Sequence, residues 1–120
     1  MHDMPQKIMS EWVSMANKRP TADDWGKCGL ILLWDVNNGC RIGRKSHPED
    51  VYREQVTHWQ PMPIDWIPID VMTPTAADAD PWNCVLTLDK IEGPKIIGWN
   101  NPIVNRRYIN GWQRLPGKPR

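Results

Sequence analysis

Few side chains in this sequence could carry acid–base, nucleophilic or metal chemistry near neutral pH. The chain has three histidines and three cysteines, which are His2, His47, His58, Cys28, Cys40 and Cys84. His58 is the strongest candidate, because an imidazole between Thr57 and Trp59 could accept or donate a proton. The alternative, which the sequence favours, is a strand histidine that packs beside Trp59 and hydrogen-bonds across a sheet.

Residue spacing disfavours both metal binding and catalysis. Cys28, Cys40, His47 and His58 could converge in the fold, but they lack the close paired spacing of structural zinc sites. The sequence has no GxSxG motif and no glycine-rich phosphate loop. Its acidic residues at 23–24 and 78–80 follow Pro-Thr-Ala segments, where such side chains usually cap backbone N–H groups. We therefore predict a protein that is not an enzyme, with no catalytic, cofactor-binding or metal-binding residues.

An internal repeat supplies the elements that must position any functional residue. Residues 11–42 align with residues 65–96 without a gap, and nine positions are identical. These are Trp12 with Trp66, Pro20 with Pro74, Thr21 with Thr75, Ala22 with Ala76, Asp24 with Asp78, Leu32 with Leu86, Asp35 with Asp89, Gly39 with Gly93, and Ile42 with Ile96. After one deleted residue, Trp59, Gln60 and Pro63 align with Trp112, Gln113 and Pro116. We predict an N-terminal extension at 1–10, a first copy at 11–63 and a second copy at 64–120.

Each copy predicts three β-strands. An apolar run ends at a turn, and the strongest turn signal is Asn38-Gly39, since both residues tolerate positive φ. The predicted strands are Leu30 to Val36, 40–45 and 55–60 in the first copy, and Cys84 to Leu88, Lys95 to Trp99 and 108–113 in the second. Trp12-Val13 and Trp66-Ile67 are predicted as short edge segments. The expected fold class is all-β, or β-rich α+β, with two tandem three-stranded antiparallel β-meanders. Because such a meander is marginal alone, we expect the copies to pack with pseudo-twofold symmetry into one integrated domain.

Composition narrows the classes of partner. Lys and Arg number 15 against 14 Asp and Glu, which gives a formal net charge of +1. No global field therefore draws the chain to nucleic acid or to anionic lipid, so direct nucleic-acid binding is not expected. The longest apolar run, Leu30 to Trp34, is far shorter than the roughly 20 residues that cross a bilayer. The odd number of cysteines predicts reduced thiols and a cytoplasmic location.

Binding is the activity that the remaining residues favour. Basic groups gather on the first hairpin and before the last strand, where they could contact phosphate or carboxylate. Trp34 and Trp99 have no tryptophan at the equivalent position of the other copy, so we assign them to a contact surface rather than to the shared core. The candidate interaction residues are Trp34, Arg41, Arg44, Lys45, His58, Trp99, Arg106, Arg107 and Tyr108.

The two copies resemble a phage and prophage family known as domain of unknown function five-five-one. In the first copy the resemblance is carried by Trp12-Val13, Arg19-Pro20 and the segment Thr57-His58-Trp59-Gln60-Pro61-Met62-Pro63. In the second it is carried by Trp66-Ile67-Pro68 and Trp112-Gln113-Arg114-Leu115-Pro116, with Asn110-Gly111 in place of Thr-His. The family is similar to the C-terminal part of early accessory proteins of lambdoid phages. The resemblance implies a small phage-encoded factor in the bacterial cytoplasm, and it implies no known reaction.

Together these patterns favour a non-enzymatic accessory protein of a phage. We expect it to bind a host protein or complex and to inhibit or redirect it, in the manner of an anti-CRISPR or anti-restriction inhibitor. The first alternative is a protein that sequesters a small nucleotide signal, and the second is a nucleic-acid-binding regulator. Exposed hairpin edges are also compatible with a homodimer.

Overall fold

The chain folds as two four-stranded antiparallel sheets, one in each copy of the repeat. The computed structural model describes residues 12–63, 65–101 and 107–119, so the predicted extension at 1–10 lies outside the described residues. The chain divides into two compact units between Met62 and Pro63, and residues 118–119 group with the first unit. The predicted all-β fold class is confirmed. No described helix has the length and apolar character needed to cross a membrane.

The first sheet is organised around the most apolar strand of the chain. Its strands are β1 (Val13–Ser14), β2 (Leu30–Asp35), β3 (Gly39–Arg44) and β4 (Val56–Pro61), in the spatial order β1-β4-β2-β3. Five of the six residues of β2 are buried, because both faces of this strand are covered. That burial explains why β2 occupies an inner position. Short 3-10 turns at Ala22–Trp25 and Pro48–Tyr52 connect the strands.

The second sheet repeats this arrangement. Its strands are β5 (Ile67–Pro68), β6 (Cys84–Asp89), β7 (Gly93–Gly98) and β8 (Ile109–Gln113), in the order β5-β8-β6-β7. A 3-10 turn at Ala76–Asp78 stands where the first copy has Ala22–Trp25. The repeat therefore codes for the same topology twice.

The predicted three-stranded meander is wrong in strand number and in strand order. The third predicted strand of each copy pairs with the first member of the hairpin rather than with the second. Val13–Ser14 and Ile67–Pro68 add a fourth, edge strand to each sheet, one residue beyond the predicted edge segments at Trp12-Val13 and Trp66-Ile67. β2 and β6 therefore each take a strand on both edges, and the residues at their centres are fully buried, namely Ile31, Leu32, Val85 and Leu86.

A tryptophan anchors the core of each sheet. Trp59 belongs to a cluster of buried side chains with Met15, Trp25, Ile31, Leu33, Val51 and Val56. Trp112 belongs to a cluster with Ile69, Val85, Ile97 and Ile109. The indole Nε1–H of Trp59 donates to the carbonyl oxygen of Lys18 at 2.8 Å, and that of Trp112 donates to Met72 at 2.8 Å. Since a buried indole needs a partner for its N–H, these matched bonds explain why the tryptophan recurs.

Recurring aspartates and glycines shape the turns. Asp35 Oδ1 accepts the backbone N–H groups of Asn37 and Asn38, at 2.8 and 3.1 Å, and thereby closes the first hairpin. Asp89 does the same in the second hairpin. Gly39 and Gly93 follow with φ values of 81° and 83°, which only glycine adopts without strain.

In each sheet, one row of residues across neighbouring strands contains a buried glutamine. Leu32 lies opposite Gln60 on one side and Ile42 on the other, and Leu86 lies opposite Gln113 and Ile96 in the same way. Side chains alternate along a strand, so this row lies on the face opposite the tryptophan clusters. Both glutamines are buried, and the Nε2 atom of each has no hydrogen-bond partner within the described parts of the chain. Burial of an unpaired amide group costs about 1–3 kcal/mol.

Candidate functional site

Several basic side chains of the described residues have structural partners. Arg41 lies 3.4 Å from Asp35, and Arg114 lies 2.8 Å from Asp78. Arg19 donates to the carbonyl oxygen of Val51 at 2.7 Å. Each of these three cations therefore has a partner within the fold.

Positive charge without an acidic partner collects at one corner of the first sheet. Lys27 lies in the loop that leads into β2, Arg44 is the last residue of β3, and Lys45 follows it. None of the three forms an ion pair within residues 12–63, 65–101 and 107–119 of the structure. We call residues 26–29 and 44–46 the basic corner. Although the chain as a whole is almost neutral, this corner carries three cations and no acid.

The backbone holds the two segments of the basic corner together. Gly29 adopts a φ of 71°, and its carbonyl oxygen accepts the N–H of Lys45 at 2.8 Å. The register of the hairpin places Leu30 opposite Arg44. Next to this pair, Ser46 Oγ lies 3.0 Å from Nδ1 of His47. The basic groups are therefore carried on ordered backbone at the end of a hairpin.

A cleft of about 450 Å³ opens at the basic corner. Its lining residues are Cys28, Gly29, Leu30, Arg44, Lys45 and Ser46. Four of these residues are exposed, so the cleft is a shallow surface feature rather than an enclosed cavity. A guanidinium can hold a carboxylate or phosphate with two parallel hydrogen bonds, and an ammonium adds a point charge. The arrangement suits an acidic group on a partner.

Of the two tryptophans that we expected at a contact surface, one is buried and the other is half-buried. Trp34 is 8% exposed and meets Trp12 edge to face, with ring centroids 6.0 Å apart. Trp99 is half-buried and packs against the core of the second sheet. The most exposed tryptophan is Trp82, at 48%. Like Trp34 and Trp99, it has no tryptophan at the equivalent position of the other copy, and this signal could have identified it.

The other candidate residues are dispersed. His58 is half-buried in β4, and its Nδ1 lies 2.8 Å from Thr57 Oγ1, which fits a strand histidine. Arg107 lies over the ring of Tyr108 at 5.5 Å from its centroid, near the start of β8. Arg106 falls outside the described residues. Of the predicted set, the structure brings Arg44 and Lys45 together in one cleft.

The sequence did not single out Lys27 and Cys28 as members of this site. Both lie in the loop before β2, at positions where the second copy has Pro81 and Trp82. The difference between the two copies at these aligned positions was the signal that the sequence offered. Among the described residues, no three histidine, cysteine or acidic side chains lie close enough to hold a metal ion.

Known proteins give no independent indication of what binds at the basic corner. The resemblance to the phage family therefore stays a prediction that rests on the sequence motifs. Comparisons with protein-family models, with curated proteins and with solved structures each give no match to this chain.

Proposed function

We propose that this chain is a non-enzymatic accessory protein of a phage that binds an acidic surface of a host protein through the basic corner. The concrete version is an inhibitor of a bacterial defence complex, of the anti-CRISPR or anti-restriction type. The observation that carries the proposal is the pair of cations without an acidic partner, Arg44 and Lys45, in the lining of one exposed cleft, with Lys27 next in the chain to the lining residue Cys28. Several cations elsewhere are engaged in the fold, so this corner has charge available for a partner.

A protein surface fits the cleft better than an enclosed ligand does. Small-molecule sites usually bury about 70–90% of their ligand. The side chains of Arg44, Lys45 and Ser46 are all exposed, so a small ligand here would keep much of its surface in water. Clusters of charge at an accessible surface mainly provide orientation and a fast association rate. These are useful properties for a protein that must reach a host target early.

A small anionic ligand is the second candidate for the same cleft. Its volume of about 450 Å³ lies within the usual range of about 300–1,000 Å³ for small-molecule sites. A nucleotide signal would place its phosphate groups against Arg44 and Lys45. Both candidates require the same cations, so the test must compare their partners directly.

We propose in addition that the two copies pack together with the pseudo-twofold relation that the repeat predicts. The support is their size, because each copy is shorter than the roughly 60 residues at which a unit begins to be stable by itself. A single domain of 120 residues would be of ordinary size.

The test is a charge reversal at the basic corner. The double variant Arg44→Glu/Lys45→Glu should lose a host partner that the tagged wild-type chain captures, as identified by mass spectrometry. A matched control, Lys18→Glu/Lys118→Glu, makes the same change in net charge at two other exposed lysines and should retain the partner.

Two outcomes would contradict the host-protein proposal. One is a stoichiometric partner that the reversed variant still binds with unchanged affinity. The other is a wild-type chain that captures no protein but gains thermal stability with cyclic nucleotides, and that loses this gain in Arg44→Glu/Lys45→Glu. The second result would establish the small-ligand candidate instead.

A further inference from the structure

The second sheet carries a corner that is equivalent in backbone to the basic corner but opposite in chemistry. It consists of residues 80–83, before β6, and residues 98–100, after β7, and we call it the aromatic corner. The carbonyl oxygen of Asn83 accepts the N–H of Trp99 at 3.0 Å, as Gly29 accepts that of Lys45 in the first sheet. Asn83 has a φ of 64°, close to the 71° of Gly29. The two corners therefore share the same backbone hydrogen bond and a similar φ, and they differ in their side chains.

The loop of the aromatic corner is closely braced. Asp80 Oδ1 accepts the backbone N–H groups of Trp82 and Cys84, at 3.0 and 2.9 Å. The backbone of Asp80 also bonds to Asn83 and Cys84, at 2.8 and 2.9 Å. Asn83 is the single residue other than glycine with a positive φ in the described parts of the chain. These bonds fix the position of Trp82 between Asp80 and Asn83.

This corner presents an aromatic surface and a carboxylate. Trp82 is 48% exposed. Asp80 is half-buried, and within the described residues it accepts hydrogen bonds from backbone groups while no lysine or arginine pairs with it. By contrast, Asp35 and Asp78 each pair with an arginine.

The charge of the two corners differs in sign. The basic corner contains Lys27, Arg44 and Lys45, and at the same three positions the second copy has Pro81, Gly98 and Trp99. Residues 80–83 and 98–100 contain one acid, Asp80, and no lysine or arginine. Every cation has therefore been replaced, and an acid has been added.

We propose that the aromatic corner binds a cationic side chain, arginine in particular, within an extended basic segment of a protein partner. A guanidinium stacks on the face of an indole and is attracted by its negative face, and a neighbouring carboxylate adds charge attraction. Arginine fits better than lysine because its planar group stacks as well as pairs. Because the loop is already braced, binding would not have to order Trp82 first, which lowers the entropic cost.

This surface is independent of the basic corner, and the experiment keeps the two apart. The full-length chain is titrated with a hexa-arginine peptide by isothermal titration calorimetry, and a hexa-glutamine peptide serves as the neutral comparison. Trp82→Ala should weaken hexa-arginine binding about five-fold or more, which corresponds to a cation–π contribution of about 1 kcal/mol. The matched control is Ile91→Ala, which removes an apolar side chain that is 93% exposed in the β6–β7 turn. This control should bind like the wild type.

Three results would overturn the proposal. They are equal affinity of the Trp82→Ala and Ile91→Ala variants for hexa-arginine, equal binding of the arginine and glutamine peptides to the wild type, and no shift of the Trp82 indole N–H resonance when hexa-arginine is added. The resonance is measured in the wild-type chain, so it stays informative if Trp82→Ala fails to fold. A hexa-glutamate titration with Arg44→Glu/Lys45→Glu reports on the basic corner separately, and either corner can fail without the other.

Discussion

Asp24 and Asp78 show how one recurring residue type stabilises both copies. The backbone N–H and the hydroxyl of Thr21 both donate to Asp24 Oδ2, at 2.6 and 2.9 Å. Thr75 makes the same two bonds to Asp78 Oδ2, at 2.8 and 3.0 Å. Only Asp78, of the two, adds an ion pair, with Arg114 at 2.8 Å. The capping role of these acids was predicted from the Pro-Thr-Ala context, because it depends on local spacing.

The pKa of Asp78 should make stability sensitive to acid. Burial by itself raises this pKa, but the hydrogen bonds from Thr75 and Arg114 outweigh it and hold the pKa below its usual value of 3.8. A carboxyl whose pKa is lower in the folded state stabilises the fold above its unfolded pKa, and this contribution is lost as the pH falls through the folded pKa. The loss should therefore begin near pH 4 and continue below it.

The variant Asp78→Asn tests this expectation. At pH 7 it should lower the free energy of unfolding by about 1–3 kcal/mol, because it removes bonds to a charged acceptor and leaves Arg114 unpaired. Urea titrations from pH 7 to pH 2 should show a weaker acid dependence than in the wild type. Asp24→Asn is the comparison, and it should cost less because Asp24 has no arginine partner. A wild-type acid profile retained in Asp78→Asn would refute the assignment.

At the scale of elements, the hairpins were the most predictable part of the fold. Strand β6 begins at Cys84 as predicted, and β2 begins at Leu30. These bounds follow from local apolar runs and from the glycine that ends each turn. The pairing of β4 with β2 could not be predicted from local sequence. The two strands are more than 20 residues apart, and no local sequence pattern indicates which strands pair.

The glycine of the second hairpin gives a test of backbone geometry alone. Gly93 has a φ of 83°, and a Cβ built there meets no atom within 4 Å. Gly93→Ala should therefore lose about 1–2 kcal/mol of stability through backbone strain without any clash. Gly117 also has free space around a Cβ and has no positive φ, so Gly117→Ala should leave stability almost unchanged. Chemical denaturation of both variants measures the difference, and equal stabilities would contradict the strain argument.

The candidate site was only partly predictable at this scale. Arg44 and Lys45 were identified from their position on the predicted return strand of the first hairpin. Cys28 and Lys27 were not, because the loop that precedes β2 has no motif of its own. The aromatic corner could be identified only from the structure. The backbone hydrogen bonds of Gly29 and Asn83 show that the loops before β2 and β6 are equivalent.

For the whole molecule, the repeat predicts that the copies depend on each other. Each sheet alone is small, and a single integrated domain is expected to unfold in one cooperative step. Calorimetry should give equal calorimetric and van't Hoff enthalpies for the 120-residue chain. Two resolved transitions, one sensitive to Asp24→Asn and the other to Asp78→Asn, would show that the copies fold independently.

The exposure of Trp82 also gives the protein an optical signal of its own. Of the eight tryptophans, Trp25, Trp34, Trp59 and Trp112 are buried, and Trp12, Trp66 and Trp99 are half-buried. A quencher dissolved in the buffer reaches an indole only by collision, so its effect on fluorescence should fall mainly on Trp82. A ligand that covers the loop between Asp80 and Asn83 would shield that emitter and leave the buried ones unchanged. Ligand binding at the aromatic corner can thus be followed by the intrinsic tryptophan fluorescence of the unlabelled chain.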